Sequence, residues 1–122
     1  MAKTIMIVDD SASIRQVVGI ALKSAGYDVI EACDGRDALG KMTGQKINLI
    51  ITDVNMPNMD GITFVQEAKK LDAYKFTPMM MLTTEAAEDK KQAGRAAGAK
   101  AWLTKPFQAP TLLDAVSKLV LP

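Results

Sequence analysis

Histidine is missing from this sequence altogether, and cysteine occurs once, at Cys33. Without histidine no Ser-His or Cys-His catalytic pair can be built, and the common zinc sites lose a principal ligand. A single cysteine rules out an internal disulfide and gives secretion no support. Neither sign of charge is in excess: 15 Lys and Arg stand against 14 Asp and Glu, a formal net charge of +1. That balance gives no support for nucleic-acid binding, which usually shows as a basic surplus gathered on one face. Long apolar runs are lacking too. The N-terminal run, Ile5 to Val8, stops at two aspartates and is too short for a signal-peptide core, and no segment has the length to span a bilayer. The expectation is a cytoplasmic, monomeric chain without membrane or nucleic-acid partners.

What is present is apolar and periodic. At 122 residues with 48% hydrophobic content, the chain can bury one sizeable core, so residues 1–122 are expected to form a single domain with no output domain. Short apolar runs recur at 5–8, 27–30, 47–51, 79–82 and 101–103. Near-continuous runs of this length suit strands buried on both faces. Between them lie stretches of helical period. Ile14, Val17, Val18, Ala21, Leu22 and Ala25 mark the first, with Ser11 or Ser13 as its cap and Gly26 as its end. A short second helix gathers around Ala38, Leu39 and Met42 and carries Gly40. Ile62, Val65, Ala68 and Leu71 mark the third, and Leu112, Leu113, Val116, Leu119 and Val120 the fifth. Five βα units in sequence imply an α/β fold, a five-stranded parallel sheet flanked by five helices.

The fourth helix is unlike the others. Its apolar positions are Ala87, Ala93, Ala96 and Ala97, with Thr84 or Glu85 available as cap and Glu88, Asp89, Lys90, Lys91 and Arg95 on the remaining surface. Alanine favours helix but buries little area, so this helix is expected to be held weakly and to shift readily.

In open parallel sheets, ligands bind beyond the carboxyl ends of the strands. Asp9 and Asp10 follow the first strand, Asp53 the third, Thr83 the fourth and Lys105 the fifth. Each has a plain alternative: an aspartate pair in a turn, a helix cap, a structural hydroxyl, a surface lysine. Together they point elsewhere. Three converging carboxylates repel one another unless a cation intervenes or protons are shared. Magnesium suits them, because it favours a few carboxylates, retained water and a phosphate oxygen. The backbone carbonyl of Asn55 is close enough in sequence to join. Asp53 as nucleophile, with Lys105 and Thr83 beside the transferred group, makes a centre suited to phosphoryl transfer to a carboxylate. Met79, Met80 and Met81 resemble a soft-metal box, but adjacent strand residues point to opposite faces and belong in the core.

Four motifs in order, Val8-Asp9-Asp10-Ser11, Thr52-Asp53-Val54-Asn55-Met56-Pro57-Asn58-Met59-Asp60-Gly61, Leu82-Thr83-Thr84-Glu85 and the segment from Gly98 to Phe107, resemble the receiver domain of bacterial two-component response regulators, of the stand-alone, chemotaxis CheY-like type. The resemblance covers essentially the whole chain. It implies a flavodoxin-like (βα)5 fold with strand order 2-1-3-4-5, and Asp53 as phosphoacceptor. It also implies Mg2+ held by Asp9, Asp10, Asp53 and the Asn55 carbonyl, with Thr83 and Lys105 on the phosphoryl group. A cis Lys105-Pro106 bond is implied as well, together with a loop after Asp53 shaped by Pro57 and Gly61. The implied partners are a histidine kinase as donor, a phosphatase, and an output protein such as the flagellar motor switch, bound at the face of helix 4, strand 5 and helix 5.

Trp102 stands where such domains most often carry tyrosine or phenylalanine. The resemblance gives that ring a switch role together with Thr83, turning inward when the threonine is drawn to phosphate. An indole needs more room and an N–H partner, room that the alanine-rich fourth helix would supply.

Three other readings compete. A phosphate sink or relay intermediate would share the chemistry but bind no motor. A magnesium-dependent phosphohydrolase using an aspartyl phosphate usually carries a second aspartate two residues after the nucleophile, where this chain has Asn55. A flavin carrier needs a first loop that accepts phosphate, where Asp9 and Asp10 would repel it. The chain is therefore read as a switch that catalyses only its own phosphorylation and slow dephosphorylation, and not as an enzyme.

Overall fold

The computed structural model describes residues 2–83 and 88–121, with side chains left undescribed at 88–90. Strands and helices alternate: β1 (Thr4–Val8), α1 (Ala12–Ser24), β2 (Asp28–Ala32), α2 (Gly35–Lys41), β3 (Leu49–Thr52), α3 (Gly61–Lys69), β4 (Met79–Thr83), α4 (Glu88–Ala97), β5 (Ala101–Thr104) and α5 (Ala109–Leu119). The strands form one parallel sheet in the order β2-β1-β3-β4-β5. This is the flavodoxin-like arrangement. β1 is central to the register, with Ile5 opposite Val29 on one side and Leu49 on the other. Among the described residues, no helix is long and apolar enough to cross a membrane.

Side-chain alternation splits the core into two layers. Met6, Val8, Ile50, Met79 and Met81 point to one face, where Ala38 of α2 and Phe64, Val65 and Ala68 of α3 cover them. Ile5, Ile7, Leu49, Ile51, Met80 and Leu82 point to the other, under Val18 and Leu22 of α1 and Leu112 and Val116 of α5. The three methionines therefore divide between the layers, all fully buried, as core residues. Each large side chain removed from water here contributes about 1.5–3 kcal/mol.

Local signals set the helix ends. The Ser11 hydroxyl accepts the Ile14 N–H at 3.3 Å and caps α1. Gly26 leaves that helix at φ 94°, a left-handed conformation that costs glycine little. Asp60 caps α3 by accepting the Thr63 N–H at 2.8 Å. At the opposite pole from the strand ends, the Asn48 amide accepts the Thr4 N–H and donates to the Leu121 carbonyl, tying both ends of the chain to β3.

Three sequence expectations shift. Val17 points outward, 58% exposed, because Val18 and Leu22 take the single stripe of α1 that can face the sheet. α3 stops at Lys69, leaving Leu71 in a turn, and Phe64 supplies the large buried group instead. In α4, Gly94 is the buried residue among those described, while Arg95 and Ala96 are exposed. Thr84, Glu85 and Ala87, expected as cap and face positions of α4, lie outside the described residues, as do the side chains of Glu88, Asp89 and Lys90.

The contrast within α1 can be measured. Leu22→Ala is expected to cost about 2–5 kcal/mol in urea unfolding, and Val17→Ala no more than about 0.5 kcal/mol. Comparable losses would mean that α1 presents a different stripe to the sheet.

Candidate functional site

Parallel strands point their carboxyl ends the same way, so residues far apart in sequence meet at one rim. Asp9 and Asp10 leave β1, Asp53 leaves β3, Thr83 ends β4, and Lys105 follows β5. Asp9, Asp10 and Asp53 bring one carboxylate oxygen each to within 4.8 Å of one another. Asp9 and Asp53 are buried and Asp10 is exposed, so the cluster has a wet side and a dry side.

Lys105 supplies the positive charge. Its Nζ lies 2.8 Å from Asp9 Oδ2 and 3.6 Å from Asp53 Oδ2. The lysine is placed by its own backbone, whose N–H donates to the Thr83 carbonyl at 2.7 Å, and the Lys105-Pro106 bond is cis. Asp9 Oδ1 accepts the Ser11 N–H at 2.9 Å, and Asp53 Oδ1 accepts the Val54 N–H at 2.8 Å. Burial, followed by the charge of Asp9, pushes the Asp53 carboxyl above the ordinary 3.8, against the opposing pull of Lys105 and the Val54 N–H.

The donor set tests for a cation. All three side chains offer hard carboxylate oxygens, and Cys33, the chain's one thiol, is exposed outside the cluster. Hard oxygens with an open, solvated side fit Mg2+ and do not favour zinc or copper. Asn55 is exposed on the loop two residues beyond Asp53. That loop is closed tightly: the Gly61 N–H donates to the Val54 carbonyl at 2.8 Å, and a Cβ on Gly61 would lie 1.9 Å from the Asp53 carbonyl oxygen. No side chain fits there.

Thr83 is fully buried at the last position of β4, paired in register with Thr104. Trp102 lies beside Met81 in register and packs partly against the α2–α3 layer. Gly94 of α4 lies against its ring. A Cβ on Gly94 would come within 2.9 Å of Trp102 Cζ3.

One participant escaped the sequence reading. Arg15 of α1 donates from Nη1 to the Asp9 backbone carbonyl at 2.6 Å and from Nε to Glu31 at 3.3 Å, fixing the strand end that carries the aspartate pair. An arginine on the polar side of a helix gives no signal of this in sequence.

The strain at Asp53 has a pH signature. A carboxyl raised in the folded state contributes most stability below its unfolded value and loses it as pH rises through the folded value. Metal-free Asp53→Asn is therefore expected to melt above the wild type at neutral pH, with the gap closing as pH falls through the raised value toward 3.8. Calorimetric midpoints from neutral to acid pH check this, and a gap independent of pH would contradict it.

Comparison with known proteins agrees with this geometry. The model of the response regulator receiver domain matches residues 5–117. The chemotaxis protein CheY4 of Vibrio cholerae is 48% identical, covering 98% of this chain and 100% of its own, with a TM-score of 0.94. Protein PilG of Pseudomonas aeruginosa is 40% identical over 112 residues, 92% of this chain and 83% of PilG. The phosphate regulon transcriptional regulatory protein PhoB of the same organism is 38% identical over 121 residues, 99% of this chain, which spans only 52% of PhoB. A doubly covered parallel sheet with its acidic rim and lysine, matched across nearly its whole length, places this chain in the response regulator receiver domain family, whose members are signalling modules.

Proposed function

We propose that this receiver accepts a phosphoryl group on Asp53 from a histidine kinase in the cytoplasm and signals through the α4–β5–α5 face. The carrying observation is Lys105, whose ammonium reaches both Asp9 and Asp53 where three carboxylate oxygens converge within 4.8 Å.

Asp9, Asp10, Asp53 and the Asn55 carbonyl would hold Mg2+, which when bound neutralises carboxylate charge and the oxygens of the incoming group. The remaining work belongs to the chain. An Asp53 oxygen attacks phosphorus, the bond from phosphorus to the donor nitrogen breaks, and the departing imidazole keeps its electron pair. Lys105 follows the charge growing on the phosphoryl oxygens, and Thr83 donates its hydroxyl to one of them. Burial of Asp53 keeps bulk water from the acyl phosphate, and slow hydrolysis returns the carboxylate. Nothing here turns over a separate substrate, so the chain acts as a switch.

Thr83 and Trp102 lie on the strands next to α4, the lightly packed helix, which supports coupling of phosphate to that face. The likeness to a chemotaxis protein makes the flagellar motor switch the first candidate partner, and a phosphatase the means of resetting.

Incubation with Mg2+ and acetyl phosphate is expected to add one phosphoryl group to the wild type and none to Asp53→Asn by mass spectrometry. Equal labelling of both would reject Asp53. Beryllofluoride is expected to change Trp102 fluorescence and tighten binding of a motor-switch peptide. A change in fluorescence with no peptide binding would favour a phosphate sink or relay intermediate.

A further inference from the structure

The loop that carries Asn55 is fixed at its base by Gly61 but also touches, at its far end, a part of the chain that the proposed chemistry does not use. Asn58 sits at φ 67°, and its Nδ2 donates to Asp34 Oδ2 at 2.8 Å. Asp34 is the cap of α2, and its other oxygen accepts the Asp37 N–H at 2.8 Å. The next pair along is in contact as well. A Cβ on Gly35 would lie 2.8 Å from Met59 Cγ and 2.9 Å from Met59 Cβ, so that even alanine would force Met59 or the start of α2 to shift. Two consecutive loop residues thus dock on two consecutive residues at the start of α2.

We propose that Asp34 and Asn58 form a latch that holds the β3–α3 loop, and with it the Asn55 backbone, in the position a divalent cation requires. The inference rests on the proposed Mg2+ site and adds positioning residues to it. Mg2+ demands near-ideal octahedral geometry, so a backbone ligand on a loose loop would have to be ordered each time the ion bound. The latch does that ordering in advance. Asp34 suits the role because the Asp37 N–H and then the Asn58 amide hold its carboxyl below the ordinary range, which keeps it an ionised acceptor. Asn58 suits it because asparagine tolerates a left-handed backbone and still offers a donor.

The pair can be separated from the fold by substitution. Asn58→Gly permits the same left-handed backbone and keeps the charge but removes the donor. Asn58→Asp sets two carboxylates face to face. Adding Asp34→Asn restores a donor and an acceptor in reversed order, and the introduced amide can still cap α2 through its oxygen.

Calorimetric titration of metal-free protein with Mg2+ is expected to show binding by the wild type, weakened about tenfold in Asn58→Gly, as for other supports of metal ligands. The double variant is expected to bind more tightly than Asn58→Asp, although charge alone predicts the reverse because it has one carboxylate fewer near the ion. Amide exchange across residues 54–61 is expected to be faster in both single variants and to recover in the double variant. Wild-type affinity in Asn58→Gly, or a double variant weaker than Asn58→Asp, would overturn the latch. A wild type that binds no Mg2+ would instead overturn the reading of the site on which the latch rests.

Discussion

Like charges at close range set the terms for this molecule. Two buried carboxylates and one exposed carboxylate converge at the rim of the sheet, and burial removes the water that would otherwise screen them. Lys105 is the chain's own answer, but one ammonium cannot balance three negative charges. The rim is therefore left short of positive charge. Its geometry is easy to maintain because parallel strands deliver every one of these residues from the same end, with backbone hydrogen bonds fixing each departure point. Asp53 N–H meets the Val8 carbonyl, Asp9 N–H meets the Ala32 carbonyl and Lys105 N–H meets the Thr83 carbonyl.

The rest of the fold is graded around that rim. α1, α3 and α5 contribute large buried side chains to the two core layers, while α4 offers Gly94 and small alanines. A helix with little area to lose can move without unmaking the core. Trp102 stands between that helix and the sheet, its indole seated on the one residue of α4 that has no side chain.

Much of this was legible in the sequence. The five apolar runs became strands, the helical stripes became helices, and the strand-end rule gathered Asp9, Asp10, Asp53, Thr83 and Lys105 from sequence alone. Strand order was not legible from periodicity, since alternation says which face a residue takes and nothing about which strand lies beside it; only resemblance supplied that order. Val17 and Val18 show a second limit, because two adjacent valines fit the same broad stripe and only packing chooses between them. Arg15 against the Asp9 carbonyl, Gly94 beneath Trp102 and Asp34 with Asn58 show a third. Each joins positions from different elements through one contact, and single contacts leave no period to read.

The methionine triplet of β4 has a consequence of its own. Met79 and Met81 fill one layer and Met80, with Leu82, the other, so the strand that ends in Thr83 meets both cores largely through unbranched thioethers. A branched side chain would answer a neighbour's displacement with a void or a clash, whereas a thioether can rotate about three bonds and refill the gap. The strand between β3 and the edge strand β5 therefore has built-in compliance, like a gasket between two rigid plates. Small movements of Thr83 can be absorbed locally and need not propagate as strain into β1 and β3.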